Sequence, residues 1–487
     1  MNIFELKSNL DWLNRIPTYI QDVFVNKLVY KNCFNEIHNT FKRRWFKRDK
    51  KLIKAEYVGI WGWNSWCGIH TFPLLTTGKI NQLYKNTVDV GFKNTEDQTG
   101  LLPHAVLHKN GGFANNPTYR CYGGANNESY NLDNILCWAK MAMEYALISN
   151  DWDWFDEYHF KTVCNTIDYI LTNLREKYNP KLVYTGIEGD WTECTNWELD
   201  NANVTVNLLR SLKLANECQI VLGKDTSPLN YAEIFDDILI EFNKPIKDGG
   251  LWHQDFGFYI HGNDGKGEKI HGDQYFESTA NYFSILWDLA SEEHKERIIS
   301  YLDKNSQNIE FPYPVLTNYL PRTGARRKNY GKTVTNGDIW LVLGAHAAAA
   351  RIKSGSTKVG SEMYKQIVQY EIDNEVFHNC IYQNGQTNDS WDPEVANNGA
   401  PFAPFVYGIL GLNLKAEGIE FTIQPLTNLT KLETTIFVYT KPLKIKVKWG
   451  GSKHNSISNT NIESFVVFYD GKPVHTEANK FIIPRSL

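Results

Sequence analysis

Carboxylates gather in two short segments of this chain, each set among Trp and Gly. The first is Thr185-Gly186-Ile187-Glu188-Gly189-Asp190-Trp191-Thr192-Glu193, and the second, far downstream, is Asn388-Asp389-Ser390-Trp391-Asp392-Pro393-Glu394. Splitting a glycosidic bond takes a protonated acid at the leaving oxygen and an ionised base or nucleophile on the other face of the sugar. One segment on each side of the scissile bond would supply that pair. Glu188, Asp190 and Glu193 are candidates for the acid, since burial beside the Trp191 indole would raise a carboxyl pKa. Asp389, Asp392 and Glu394 are candidates for the base. Indole faces suit stacked sugar rings, and glycine lets the backbone pass close to a ligand. The combination reads as a carbohydrate site.

Composition narrows the alternatives. The net charge is -4 and no basic run is interleaved with aromatics as a nucleic-acid surface requires. The basic run Lys42 to Lys51 reads as a solvated helix end. No window approaches the roughly 20 apolar residues that span a bilayer. The N-terminal residues lack an apolar stretch of signal-peptide length, and the eight Cys have no CxxC metal spacing, so the expectation is reduced thiols in a cytoplasmic protein. His253, Asp255, His271 and Asp273 are weak as a metal signature, and sugar-binding or turn-capping roles suit them better. Arg322, Arg326 and Arg327 could hold an anionic substituent, with surface solvation as the default. Walker, nucleophile-elbow and Rossmann patterns are missing from any supporting context, so no cofactor is expected.

The site needs a frame, and to about residue 413 the apolar spacing is helical, with the helices arriving in pairs. Leu132, Ile135, Leu136 and Ala139 mark one, and Phe155 to Leu174 its partner. Val204 to Ala215 pairs with Tyr231 to Phe242, Tyr282–Leu289 with Ile298–Leu302, and Ile339–Ala350 with Met363–Tyr370. Long loops rich in Gly, Asn, Trp and His lie between the pairs, at 96–130, 184–202, 247–277, 309–336 and 381–401. Loops of this length inside a compact domain are normally functional. A ring of helical hairpins with its loops gathered at one end accounts for both features. After residue 415 the period becomes alternating, as in Ile419–Ile423, Thr434–Tyr439, Leu443–Lys448 and Phe465–Tyr469, with Gly450-Gly451 and Asp470-Gly471 as turns. The expectation is a mainly α chain, an (α/α)6 toroid of helical hairpins over 1–414 with a small C-terminal antiparallel β module over 415–487. The module reads as a cap, away from the chemistry.

At the acidic segments the chain resembles the six-hairpin glycosidases, a superfamily of (α/α)6-barrel enzymes. These include glucosylglycerate hydrolases, mannosyl-oligosaccharide glucosidases, trehalases and, more remotely, cellobiose phosphorylases and α-rhamnosidases. Trp61-Gly62-Trp63-Asn64-Ser65-Trp66 resembles their Trp-Asp-rich first loop that binds the terminal sugar, with Asn64 where the hydrolases usually carry Asp. Gly100-Leu101-Leu102-Pro103-His104 resembles their Gly-x-Ile-Pro-His element. Thr185 to Glu188 resembles the hydrolase Ser-Gly-Met-Asp, which implies Glu188 as the acid. Gly189 to Glu193 resembles the phosphorylase Gly-Asp-Trp-Asn-Asp, which implies Glu193 instead, with Asp190 as a sugar ligand. Asp389 to Glu394 resembles Glu-Tyr-Tyr-Asp-Pro-Glu, which implies Asp389 as the base, one methylene shorter than the usual Glu. Asn336 to Trp340 resembles an Asn-Gly-x-x-Trp that lines the barrel near the base, and reads equally well as a helix N-cap with a packed Trp.

The resemblance implies an inverting, exo-acting glycoside hydrolase for a small carbohydrate substrate. Glu188 or Glu193 would be its acid and Asp389 its base. Trp61, Trp63, Trp191 and Trp391 would form aromatic walls, with Asn64, His104 and Trp340 as further sugar contacts. A disaccharide phosphorylase is one alternative, disfavoured because no Thr-Gly-Thr-Ala-Gly-Trp-like phosphate element stands near Ala400–Tyr407. A sugar-binding protein without catalysis is the other, motivated by the departures at Asn64 and Asp389.

Overall fold

The structure is a computed structural model. It describes residues 2–21, 59–97, 99–108, 118–121, 130–155, 157–175, 179–186, 189, 199–224, 227–263, 276–305, 340–374, 399–450, 462–476 and 479–485.

Helices come first in the architecture, and they sort into two kinds by burial. In chain order they are α1 (Asp11–Asn14), α2 (Ile16–Tyr19), α3 (Gly62–Ile69), α4 (Phe72–Leu75), α5 (Lys79–Phe92), α6 (Leu132–Ser149), α7 (Glu157–Asn173), α8 (Ala202–Leu222), α9 (Tyr231–Asn243), α10 (Ser278–Leu286), α11 (Glu292–Asn305), α12 (Leu341–Lys353) and α13 (Thr357–Asn374). A π-helical turn follows at Pro404–Ile409. Every residue of α6 and α10 is buried, as is α12 up to Ile352. A helix buried on all sides carries apolar residues all round and must sit inside the molecule. By contrast α7 buries one stripe, Phe160, Val163, Cys164, Ile167, Ile170 and Leu171, and leaves its other face to solvent. The paired pattern in the sequence thus resolves into an inner and an outer layer. Along the inner layer α3 packs on α6, α6 on α8, α8 on α10, α10 on α12, and α12 on the π-helical turn. Among the described residues no helix is long and apolar enough to cross a membrane.

The inner helices give the molecule two distinct ends. Their N-termini lie beside short antiparallel ribbons drawn from the long connecting segments. These are β2 (Gly59–Trp61), β3 (Ala105–His108) and β4 (Thr118–Cys121) in one sheet, β5 (Tyr184–Thr185), β6 (Leu199–Asn201) and β9 (Gly262–Asn263) in a second, and the pair β7 (Trp252–His253) and β8 (Phe258–Tyr259). The expected long loops therefore contain strands. At two to four residues each they are too short for a period-2 signal to register.

The opposite end meets the C-terminal β module. Its larger sheet has the order β1 (Glu5–Ser8), β12 (Lys431–Val438), β13 (Lys441–Trp449), β14 (Ile462–Tyr469) and β15 (Lys472–Val474). The smaller contains β10 (Asn413–Leu414), β11 (Gly418–Thr422) and β16 (Lys480–Pro484). Asp470 and Gly471 both adopt positive φ, 49° and 79°, the geometry of a two-residue hairpin turn between β14 and β15. The N-terminal residues join this sheet, with Glu5 opposite Thr435 and Ser8 opposite Leu432. A strand from the start of the chain therefore completes a module otherwise built after residue 413.

The module is fastened to the C-termini of α6 and α8. Asn150 ends α6 in the left-handed conformation, and the Tyr439 N–H donates to the Ile148 carbonyl at 2.9 Å. Arg485 donates to the carbonyls of Leu147, Lys415 and Ala416 at 2.9–3.0 Å, and its guanidinium lies over the Trp152 and Tyr439 rings. Glu217 of α8 accepts the Ala416 N–H at 2.6 Å. One guanidinium thus ties the last strand to the helix core.

Candidate active site

The elements singled out in the sequence meet at the N-terminus of α6. The Trp61–Trp63 element enters through β2, whose Trp61 pairs with Ala105 of β3. The neighbouring Gly62 N–H donates to the His104 carbonyl at 3.2 Å, which brings the Gly100 to His104 element alongside. Gly62 is required for this approach, because a Cβ there would stand 2.0 Å from the Asn134 carbonyl oxygen. The Trp63 N–H then donates to Asn134 Oδ1 at 2.8 Å. The first acidic segment reaches the same place, since the Leu132 N–H donates to the Gly189 carbonyl at 3.2 Å. Three elements separated in sequence are thereby joined to the first turn of one helix.

Trp340 completes the cluster from α12. It occupies the N-cap position of that helix and meets Trp63 edge to face with ring centroids 5.9 Å apart. Trp63, His104 and Trp340 are all buried. Of the other candidate residues, Asn64 lies in α3 and Trp61 in β2. Glu188, Asp190, Trp191, Glu193, Asp389 and Trp391 lie outside the described residues, as do Asp392 and Glu394. The same holds for His271, Asp273, the three arginines at 322, 326 and 327, and the basic run 42–51. Gly399, just beyond the second acidic segment, packs so closely on the Cys67 carbonyl of α3 that a Cβ would come within 2.1 Å.

Beneath this cluster runs a buried polar ladder between α6 and α8 that helical periodicity did not reveal. Asn134 Nδ2 donates to Asn131 Oδ1 and Asn203 Nδ2 to Asp133 Oδ2, each at 2.7 Å. Asp133 stands in the first turn of α6, where the helix dipole favours a negative charge. Asn207 Nδ2 donates back to Asn203, and Lys140 Nζ donates to Asn207 Oδ1. The Lys140 ammonium also sits 3.8 Å from the centre of the Trp66 ring, a cation–π contact strengthened by desolvation. Lower still, Arg210 donates twice to Glu144 Oε1, at 3.1 and 3.3 Å, and Trp66 Nε1 donates to Glu144 Oε2 at 2.9 Å. Period-3.6 reasoning assigns Asp133, Lys140 and Glu144 to a solvent face. The informative signal was the lack of any such face, because Cys137, Trp138, Met141, Met143 and Tyr145 surround the polar positions.

Two histidines flank the ladder. His70 stacks on Trp66 at 4.4 Å and on Tyr407 at 5.4 Å, and burial pushes its pKa down to about 3. His346 lies parallel to Trp66, and burial, with the nearby Lys140 ammonium, holds it well below the usual histidine range. Both are therefore neutral at physiological pH, as packing in a low-dielectric interior dictates. Nearer the N-terminal end, His261 Nδ1 and Glu277 Oε2 form a buried hydrogen bond of 2.8 Å. Glu277 also caps α10 by accepting from the Thr279 N–H and hydroxyl. Among the described residues no three His, Cys, Asp or Glu side chains group as a metal site. Cys67, Cys137, Cys164 and Cys218 are buried and form no disulfide, and burial raises the Cys137 thiol to about 12.

No protein-family model and no curated protein sequence matches the chain. Solved structures do. A GH63 mannosylglycerate hydrolase from Thermus thermophilus, in complex with glucose, superposes with a TM-score of 0.54 at 12% identity, over 80% of this chain and 99% of that one. A GH78 rhamnosidase from Bacillus sp. GL1 gives 0.58 at 13% identity over 93% of this chain. A sialidase gives 0.63 at 12% over all of it. The chain spans only 41% and 42% of those last two proteins. At such identity the likeness speaks for the fold alone, a largely helical fold that this chain shares with solved glycoside hydrolases.

Proposed function

We propose that the protein is a glycoside hydrolase whose hairpins close into an (α/α)6 toroid and whose site lies at the N-terminal end of the inner helices. One observation carries this reading. The Trp61–Trp63 element, His104, Gly189 at the head of the Gly189–Glu193 motif, and Trp340 belong to motifs that resemble sugar-site elements of the six-hairpin glycosidases, and all four gather around the first turns of α6 and α12. In this reading Glu188 or Glu193 protonates the leaving oxygen and Asp389 activates water on the opposite face, which inverts the anomeric centre. Trp61, Trp63, Trp191, Trp340 and Trp391 line the sugar pocket, and Asn64, His104 and Asp190 bind its hydroxyls. The catalytic domain takes in residues 1–414 and the module 415–487 braces the far end.

Sugar release from aryl α- and β-glycosides and α-linked disaccharides tests the reading, assayed with and without phosphate. Phosphate-independent release is expected, lost in Glu188→Gln or in Glu193→Gln according to which is the acid. Release that requires phosphate would make the protein a phosphorylase, and sugar binding without turnover would make it a binding protein.

A further inference from the structure

The strand β6 carries a carboxylate that its surroundings do not accommodate as an anion. Asp200 is buried, with a relative exposure of 1%. Its Oδ2 accepts the Asn179 N–H at 2.9 Å, while Oδ1 is buried with no hydrogen-bond partner. An ionised carboxylate wants donors on both oxygens, and leaving one bare in the interior is costly. A neutral acid, or an amide, needs far less.

The position of Asp200 carries this consequence beyond the strand itself. β6 is the central strand of its sheet, where Asp200 pairs with Tyr184 of β5 and with Asn263 of β9. β5 ends at Thr185 and β6 begins at Leu199, so the first acidic segment is strung between these two strands. The residue after Asp200 caps α8, with Asn201 Oδ1 accepting the Val204 N–H at 3.0 Å, and the Ala202 N–H donates to the His261 carbonyl. A shift of β6 therefore moves both an anchor of the acidic segment and the top of the polar ladder.

We propose that Asp200 is a positioning residue that holds β5 and β6 in place only while its carboxyl is neutral. The effect on activity rests on the hydrolase reading, whereas the effect on the strands does not. Burial pushes the Asp200 carboxyl up to about 7, against the lowering effect of the Asn179 N–H. The charged groups beside its partner Asn179 are already engaged with one another. Lys244 pairs with Glu241 of α9, Glu241 also accepts from Asn179, and Lys181 pairs with Asp237. Among the described residues neither lysine forms an ion pair with Asp200, and its own β6 and the paired β5 and β9 bring no cation to it.

Linkage sets the sign. The unfolded chain releases this proton near the ordinary value of about 3.9, whereas the folded chain keeps it to about 7. Stability from this group is greatest at low pH, falls as pH rises between those values, and stays reduced above them. Asp200→Asn mimics the neutral form at every pH.

The test compares wild type with Asp200→Asn at matched pH from 5 to 8, by thermal unfolding and by hydrogen exchange of the peptide spanning 182–201. The wild-type melting temperature should fall more steeply with pH. Its exchange should match the variant at the acid end and run on the order of 10-fold faster at pH 8. On a released sugar the alkaline limb of kcat/KM should move up by at least about one pH unit in the variant, with little change at pH 5.5. Parallel melting curves and equal exchange at all pH values would overturn the proposal whether or not sugar is released. A melting and exchange difference without any sugar release would retain Asp200 as the anchor of these strands and remove the hydrolase reading. Should Asp200→Asn fold poorly, Asp200→Ser serves in its place, and a wild-type pH dependence retained in both variants would equally contradict it.

Discussion

The two ends of α6 face different tasks and are built from different interactions. At its N-terminus, side-chain amides, a carboxylate and two indoles meet the ends of long connecting segments. At its C-terminus, about 27 Å away, main-chain carbonyls are closed off by one arginine and a β module. The N-terminal end keeps polar groups in a buried network whose members depend on one another. The C-terminal end satisfies its carbonyls once and locks them. Chemistry gathers where helix N-termini present donors and positive dipole ends, while the exposed carbonyl ends require a cap. In the proposed reading function belongs to one end and bracing to the other, with the Lys140–Glu144–Arg210 ladder between them.

That division makes distinct demands on substitutions. The largest effect belongs to the functional end. Glu188→Gln or Glu193→Gln should lower kcat by at least about 100-fold, measured on a released sugar, with an unchanged melting temperature. In the middle of the ladder, Arg210→Ala strands the buried Glu144 charge and should cost about 3–5 kcal/mol, read from chemical denaturation, with a loss of soluble protein in step. At the braced end, Arg485→Ala removes hydrogen bonds to three carbonyls and should cost about 2–4 kcal/mol in the same measurement. Its KM should stay that of the wild type, and a raised KM would break the division.

The smallest effect belongs to α13. Glu371 of α13 is fully buried, accepts the Tyr19 hydroxyl at 3.0 Å, and is pushed by burial up to about 8. Its folded value lies above its unfolded one, so stability from this group falls as pH rises from about 4.3 towards 8 and is lowest above that. Glu371→Gln should flatten that part of the melting profile and leave sugar release untouched.

Much of this organisation could be read from residue types. The pairing of helices was legible because α7, α9 and α13 each leave a stripe exposed and so carry a clean 3.6 period. The C-terminal strands were legible because β12 and β13 bury alternate residues. Inside, periodicity failed for a physical reason. Lys140 and Glu144 are satisfied by a tryptophan, an amide and an arginine from other helices, and only three-dimensional packing reveals those partners. The strand β1 was equally hidden, since the partner of its Glu5, Thr435, lies at the other end of the chain. For the site, Trp63, His104 and Trp340 were singled out by motif and are brought together around α6 and α12. Asn131, Asp133 and Asn203 were missed because Asn and Asp near a helix start read first as caps.

Hydrogen exchange with a bound monosaccharide product or iminosugar tests the central claim most directly. Protection is expected in the described stretches at the N-terminal ends of the inner helices, 59–66, 102–106, 131–136, 184–186 and 199–204. The far end, 147–152, 413–423 and 480–485, should be unchanged. Protection confined to the far end, or spread over the module, would contradict the assignment of function and bracing to opposite ends of α6.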